Sequence, residues 1–155
     1  MQIWGMDFDD KPVIYIFTTD ENAFSNIANA ARRVGYNVHF PEIFNSTDLL
    51  TINPEATSAV LVDLDMEGFD GVGLLNDIKS AYDKHDIEYA YRAPILSVST
   101  DDSQREAAKK AGAEIFMSRD TGDQSLLTAL LSLDESLEEA SLGAAAELLR
   151  GRDFD

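Results

Sequence analysis

Ala59-Val60-Leu61-Val62-Asp63-Leu64-Asp65-Met66-Glu67-Gly68-Phe69-Asp70-Gly71 is an apolar run of strand length that stops at a carboxylate and passes through a loop with two glycines. Apolar residues on successive positions, without polar alternation, mark a strand buried on both faces. Such strands belong to parallel α/β sheets, whose ligands gather outside the carboxyl ends of the strands. Asp63 is therefore expected at the mouth of a functional crevice.

Outward from this stretch, four more segments have strand character: Val13-Ile14-Tyr15-Ile16-Phe17, Tyr36-Asn37-Val38-His39-Phe40, Pro94-Ile95-Leu96-Ser97-Val98-Ser99-Thr100 and Ala113-Glu114-Ile115-Phe116-Met117. Helical segments alternate with them. Phe24, Ile27, Ala28, Ala31 and Val34 recur at helical spacing behind a start that Thr19 or Asp20 can cap, and Gly35 ends that helix. A short helix is expected from Ser46 or Thr47 to Ile52, broken by Asn53-Pro54. Leu74, Leu75, Ile78 and Tyr82 share a helical face after the glycine loop, and residues 84–93 form a polar surface connection. Ser103-x-x-Glu106 reads as a capping box for a helix that ends at Gly112. Residues 123–133 are helical, and 137–149 continue or restart that helix with Leu137, Ala140, Ala144, Ala145 and Leu148 on one side. Alternating strands and helices predict a parallel sheet covered on both faces. The expected organisation is a tail over residues 1–12 (with Trp4 or Phe8 docked onto something), one domain over 13–133 and a helical extension over 134–155.

Composition narrows the function classes. The chain has 155 residues, 45% hydrophobic and 26% charged, enough for one domain with a substantial core. It has no cysteine, hence no disulfide framework, thiolate nucleophile or cysteine-ligated zinc. No apolar run reaches membrane-spanning length, and the N-terminus lacks a basic-then-apolar signal pattern, so a cytoplasmic protein without membrane association is expected. A net charge of −17 opposes direct nucleic-acid binding, which needs clustered Lys and Arg, and favours basic partners or cations. A solvated acidic surface is the plain account of that charge; adaptation to high salt would use the same acidity. His39 and His85 lack a partner pattern and are expected at surface or strand-end positions.

The strand ends carry a recognisable chemistry. Thr18 and Thr19, Asp63, Ser99 and Thr100, and Ser118 and Arg119 follow strands one, three, four and five. A carboxylate can accept a phosphoryl group while a hydroxyl and a cation hold its oxygens. Each residue also has a purely structural use: Asp63 can cap its loop, Ser99 can satisfy a strand end, and Arg119 can be a surface cation.

Over residues 13–133 this arrangement resembles the receiver domain of bacterial two-component response regulators. Val60 to Gly71 resembles the phosphoacceptor strand and loop, Pro94 to Ser99 the fourth strand with its switch hydroxyl, and Gly112 to Arg119 the fifth strand with Phe116 at the aromatic switch position. The resemblance implies a flavodoxin-like, doubly wound, five-stranded parallel sheet in the order 2-1-3-4-5. It also implies Asp63 as phosphoacceptor, Ser99, Phe116 and Arg119 as switch and phosphate-contact positions, and an interaction surface on the fourth helix, fifth strand and fifth helix.

The departures matter equally. Thr18 and Thr19 stand where the family carries the two adjacent acids that bind magnesium, unless the alignment slips by two residues and brings in Asp20 and Glu21. Arg119 stands for the family's lysine, Asp120 for the proline after it, and Glu67 for the proline of the phosphoacceptor loop. Mg²⁺ is usually held through one or two carboxylates plus further oxygens. Asp63 with the backbone carbonyl near Asp65 is a poor set, so Mg²⁺ binding is expected to be weak at most and no cofactor is expected. The leading expectation is a degenerate receiver, or pseudo-receiver, that is not an enzyme and works as a protein-interaction module with impaired Mg²⁺-dependent phosphorylation; the C-terminal helices offer a homodimer contact. A phosphorylatable receiver served by a histidine kinase is one alternative. Another is a small haloacid-dehalogenase-like phosphatase, since Asp63-x-Asp65 after an apolar strand also resembles that family's first motif, with Ser99, Asp101 and Asp102 available for later ones.

Overall fold

A computed structural model of the chain describes residues 12–42, 47–52 and 54–134. The expectations for Trp4 and Phe8, for a helix start at Ser46, for Asn53 and for the extension from Glu135 onward lie outside these residues. The order of elements is β1 (Val13–Phe17), α1 (Ser25–Val34), β2 (Asn37–His39), α2 (Leu49–Ile52), β3 (Thr57–Asp63), α3 (Gly71–Lys84), β4 (Ile95–Ser99), α4 (Arg105–Lys110), β5 (Ile115–Ser118) and α5 (Asp123–Ser132). The five strands form one sheet in the order β2-β1-β3-β4-β5, every neighbouring pair parallel.

The continuous apolar character of β3 has a direct structural cause. Ala59 and Leu61 face one helical layer, with Ile14, Ile16, Leu96 and Val98 from the neighbouring strands and Phe24, Ile27, Leu126, Leu127 and Leu130 from the α1 and α5 side. Val60 and Val62 face the other layer, with Phe17 and Ile95 beside them and Leu50, Leu74, Leu75, Ile78 and Tyr82 above. Both pleats of the strand are thus buried, as parallel sheets require. Ser97 breaks the apolar run of β4 at a fully buried position, and its hydroxyl is satisfied by donating to the Ile115 carbonyl at 3.2 Å.

Two glycines shape the frame of the site. Gly35 closes α1 with φ +115°, a conformation that L side chains rarely adopt. Gly71, the first residue of α3, lies so close to the β3 loop that a Cβ there would stand 2.7 Å from the Leu64 Cα. Only glycine lets α3 start directly behind Asp63.

Several boundaries differ from the sequence reading. Residues 103–106 do not form a capping box. The Asp101 carboxylate instead accepts from the Ser103 amide at 2.9 Å, and a 3-10 turn over Asp102–Gln104 precedes α4. An ionised carboxylate is a stronger acceptor than the Ser103 hydroxyl, so the cap moves two residues back. The Ser103 hydroxyl and amide together hold the Asp101 carboxyl below the usual carboxylate range. Strand β3 starts two residues early, at Thr57, while β2 keeps only Asn37–His39 of the expected five residues. Asp20 does cap the turn before α1, accepting from the Ala23 amide.

Candidate functional site

Asp63 ends β3 at the carboxyl edge of the sheet and is 8% exposed. The pairing of β1 with β3 runs to Phe17 opposite Val62, which brings the next residue, Thr18, level with Asp63. The Thr18 hydroxyl donates to Asp63 Oδ2 at 2.7 Å and accepts from the Asp20 amide at 3.0 Å. The Asp65 amide donates to Asp63 Oδ1 at 2.9 Å. Both carboxylate oxygens therefore have a neutral donor, and among the described residues no cation pairs with Asp63.

The alternative acids sit elsewhere. Asp20 is exposed and turned to the Ala23 amide, and Glu21 is exposed at the start of the 3-10 turn Glu21–Phe24. Thr19 is also exposed, whereas Thr18 is buried. The residue that β1 places against Asp63 is thus a hydroxyl donor.

On the other side, Asp65 reaches β4. Its Oδ1 accepts from the Ser99 hydroxyl at 2.7 Å and its Oδ2 from the Thr100 amide at 2.8 Å. The Ser99 oxygen also accepts from the Asp101 amide at 2.9 Å and from the Gln104 side chain at 3.0 Å. The receiver reading of the sequence uses only the backbone carbonyl near Asp65, the Asp65 carboxylate enters only the alternative phosphatase motif, and Gln104 is not singled out. The available signal was chemical: a second carboxylate two residues past Asp63, facing a strand that ends in adjacent hydroxyls.

Phe116 is buried in β5, with the Arg105 guanidinium 4.6 Å over its ring and hydrogen-bonded to its carbonyl at 3.3 Å. Arg119 begins a 3-10 turn over Arg119–Thr121. Its guanidinium donates to the Ala23 carbonyl at 2.7 Å, pairs with Asp123 at 3.1 Å and lies 4.8 Å over the Phe24 ring. Arg119 thus clamps the start of α1 to α5 and leaves Asp63 to its neutral donors. Asp101 and Asp102, the acids available to a phosphatase motif, lie in the turn before α4, where Asp101 caps and Asp102 pairs with Arg105 at 3.7 Å. His39 ends β2 beside the Tyr15 ring, and His85 caps α3 with its imidazole 3.7 Å from Asp48.

This donor set does not fit a magnesium ion. Mg²⁺ requires near-octahedral oxygen ligands. Both Asp63 oxygens already accept hydrogen bonds, the adjacent Thr18 hydroxyl directs its proton at the carboxylate, and the Asp65 carboxylate is taken up by β4. Among the described residues no three acidic or imidazole groups converge as metal ligands.

No protein-family model matches the chain. No curated protein matches it either. Solved structures do. A response regulator from Thermotoga maritima is similar at 18% identity and a TM-score of 0.61, covering 81% of this chain and 99% of that one. A two-component response regulator from Clostridium difficile is similar at 12% identity and a TM-score of 0.64, covering 81% of this chain and 98% of that one. A Burkholderia pseudomallei response regulator with a phosphorylated aspartic acid, calcium ion and citrate is similar at 18% identity and a TM-score of 0.58, covering 88% of this chain and 72% of that one. With its sheet order, its alternating helices and Asp63 at the end of the central strand, the chain has the flavodoxin-like fold of response regulator receiver domains.

Proposed function

We propose that this chain is a pseudo-receiver, a protein-interaction module of two-component signal transduction in which Mg²⁺-dependent phosphorylation of Asp63 is impaired. The observation that carries this reading is the hydrogen bond from the Thr18 hydroxyl to Asp63. A second carboxylate at that position would help hold a cation, whereas a hydroxyl donor satisfies Asp63 without one. Phosphoryl transfer to a carboxylate brings negative charges together and depends on positive charge to offset them. The basic candidate that the resemblance assigns to the site, Arg119, spends its guanidinium on Ala23, Asp123 and Phe24.

The surface for a signalling partner, carried over from the resemblance, is α4, β5 and α5. Glu106, Lys109 and Lys110 on α4 are exposed there. A cytoplasmic location accords with this role, and among the described residues no helix is long and apolar enough to cross a membrane. A phosphorylatable receiver is the second reading, favoured by one observation: Asp63 itself is retained at the carboxyl end of the central strand.

Installing the missing groups discriminates the two. In the variant Thr18→Asp, Thr19→Asp, Arg119→Lys, Mg²⁺ should raise the melting temperature, and a small acyl phosphate should label Asp63. The wild-type chain should show little of either. Equal Mg²⁺ stabilisation and labelling of the wild type would overturn the pseudo-receiver reading.

A further inference from the structure

The Asp65 carboxylate does at the end of β4 what an incoming oxyanion would do. A hydroxyl and a backbone amide each have one hydrogen to give, and those of Ser99 and Thr100 both go to Asp65. An anion attached to Asp63 cannot use the same pair while Asp65 holds it. The Ser99 oxygen, fully buried, is in turn the acceptor for the Asp101 amide and the Gln104 side chain. The Ser99 hydroxyl therefore ties the turn that opens α4 to Asp65. Arg105, next in the chain, lies over the Phe116 ring and donates to its carbonyl. Hydrogen bonds thus link Asp65 through Ser99 to Gln104, and the covalent chain carries the link on to Arg105 and its contacts with β5.

We infer that Asp65 is an internal stand-in for a bound oxyanion, holding the β4–α4 turn in its donor-engaged arrangement whatever Asp63 carries. The functional meaning rests on the pseudo-receiver reading: the α4–β5–α5 surface is kept in one state by the chain's own carboxylate. The contact itself is independent of that reading. Asp65 is exposed while Asp63 is buried, so the two carboxylates divide the work. One is closed off by β1, and the other grips β4.

Amide hydrogen exchange on the full chain, resolved by NMR, tests the inference. Asp65→Ala should speed exchange of the Thr100 amide about three- to tenfold, the factor that corresponds to losing a hydrogen bond of ordinary net strength. Asp65→Asn, which keeps one acceptor oxygen, should show a smaller rise. The Asp20 amide, which donates to Thr18, should not change. Unchanged Thr100 exchange in a folded Asp65→Ala chain overturns the inference. The wild-type chain gives the same test without substitution, through a scalar coupling across the hydrogen bond from the Thr100 nitrogen to the Asp65 carboxyl carbon. Its absence also overturns the inference. Adding beryllofluoride with Mg²⁺ to the wild type separates the two proposals: shifts at Asp63 would sink the pseudo-receiver reading, while the coupling alone decides the role of Asp65.

Discussion

At the carboxyl edge of the sheet, hydroxyls donate to carboxylates, Thr18 to Asp63 and Ser99 to Asp65. At the amino edge the hydroxyls are phenolic. Tyr36 donates to Asp134 at 2.5 Å and ties the start of β2 to the end of α5, while Tyr82 accepts from the Ala93 amide at 3.1 Å and ties α3 to the start of β4. Both edges are closed by side-chain hydrogen bonds, yet they differ in what surrounds them. The tyrosine rings are buried, so their hydroxyls finish a packed seam. The two carboxylates of the other edge are held by short bonds from neutral donors, and among the described residues no cation pairs with either. A change of residue at the amino edge should alter stability alone. At the carboxyl edge it should alter what the molecule responds to.

The strongest way to break this comparison is Thr18→Asp alone. It sets a second carboxylate beside Asp63, and two like charges about 4 Å apart at an effective dielectric near 20 cost up to about 4 kcal/mol before relaxation. Chemical denaturation without divalent cations should show most of that loss, and added Mg²⁺ should recover part of it, because a ligand bound only by the folded chain stabilises it. A loss that Mg²⁺ does not touch would mean that Thr18 is merely structural.

Tyr82→Phe tests the seam. The ring stays and the hydroxyl goes, leaving the buried Ala93 amide without its acceptor, at a cost of about 1–3 kcal/mol. Mg²⁺ should leave this variant's stability unchanged, which thermal denaturation with and without the cation would check.

The smallest effect is a pH dependence at Tyr36. Burial first, then the hydrogen bond and the charge of Asp134, push the Tyr36 phenol above its usual value of 10.0. A folded-state pKa raised above the unfolded one contributes stability that is complete below pH 10 and is lost as pH rises through the folded value. The wild-type chain should therefore lose stability on the alkaline side of pH 10, and Tyr36→Phe should lose less. Some slope should remain, since burial also raises the phenols of Tyr15 and Tyr82. Identical alkaline slopes in both chains would remove Tyr36 from the seam.

Much of this was legible along the chain because the signals are local. The unbroken apolar run before Asp63, the helical spacing of Leu74, Leu75, Ile78 and Tyr82, and the glycine that ends α1 each depend on near neighbours, and periodicity records them. The alternation of elements implied a parallel sheet, and the strand order came from the family resemblance alone. The misplaced cap at residues 103–106 was a local contest, in which a carboxylate at 101 prevailed over a hydroxyl at 103.

The contents of the site were decided only by the tertiary structure. Thr18 rather than Asp20 stands against Asp63 because Phe17 pairs with Val62, a register set by how β1 and β3 bury their two faces. Asp65 turned its carboxylate to Ser99 and Thr100 because β4 lies beside β3, across 34 residues of chain. Arg119, written in the sequence as a cation for the crevice, found a carbonyl 96 residues away at the start of α1 and a carboxylate four residues on. Local chemistry determined which polar groups arrive at the carboxyl edge. Which of them meet there depends on strand adjacency and register, and those are settled by burial on both faces of the sheet.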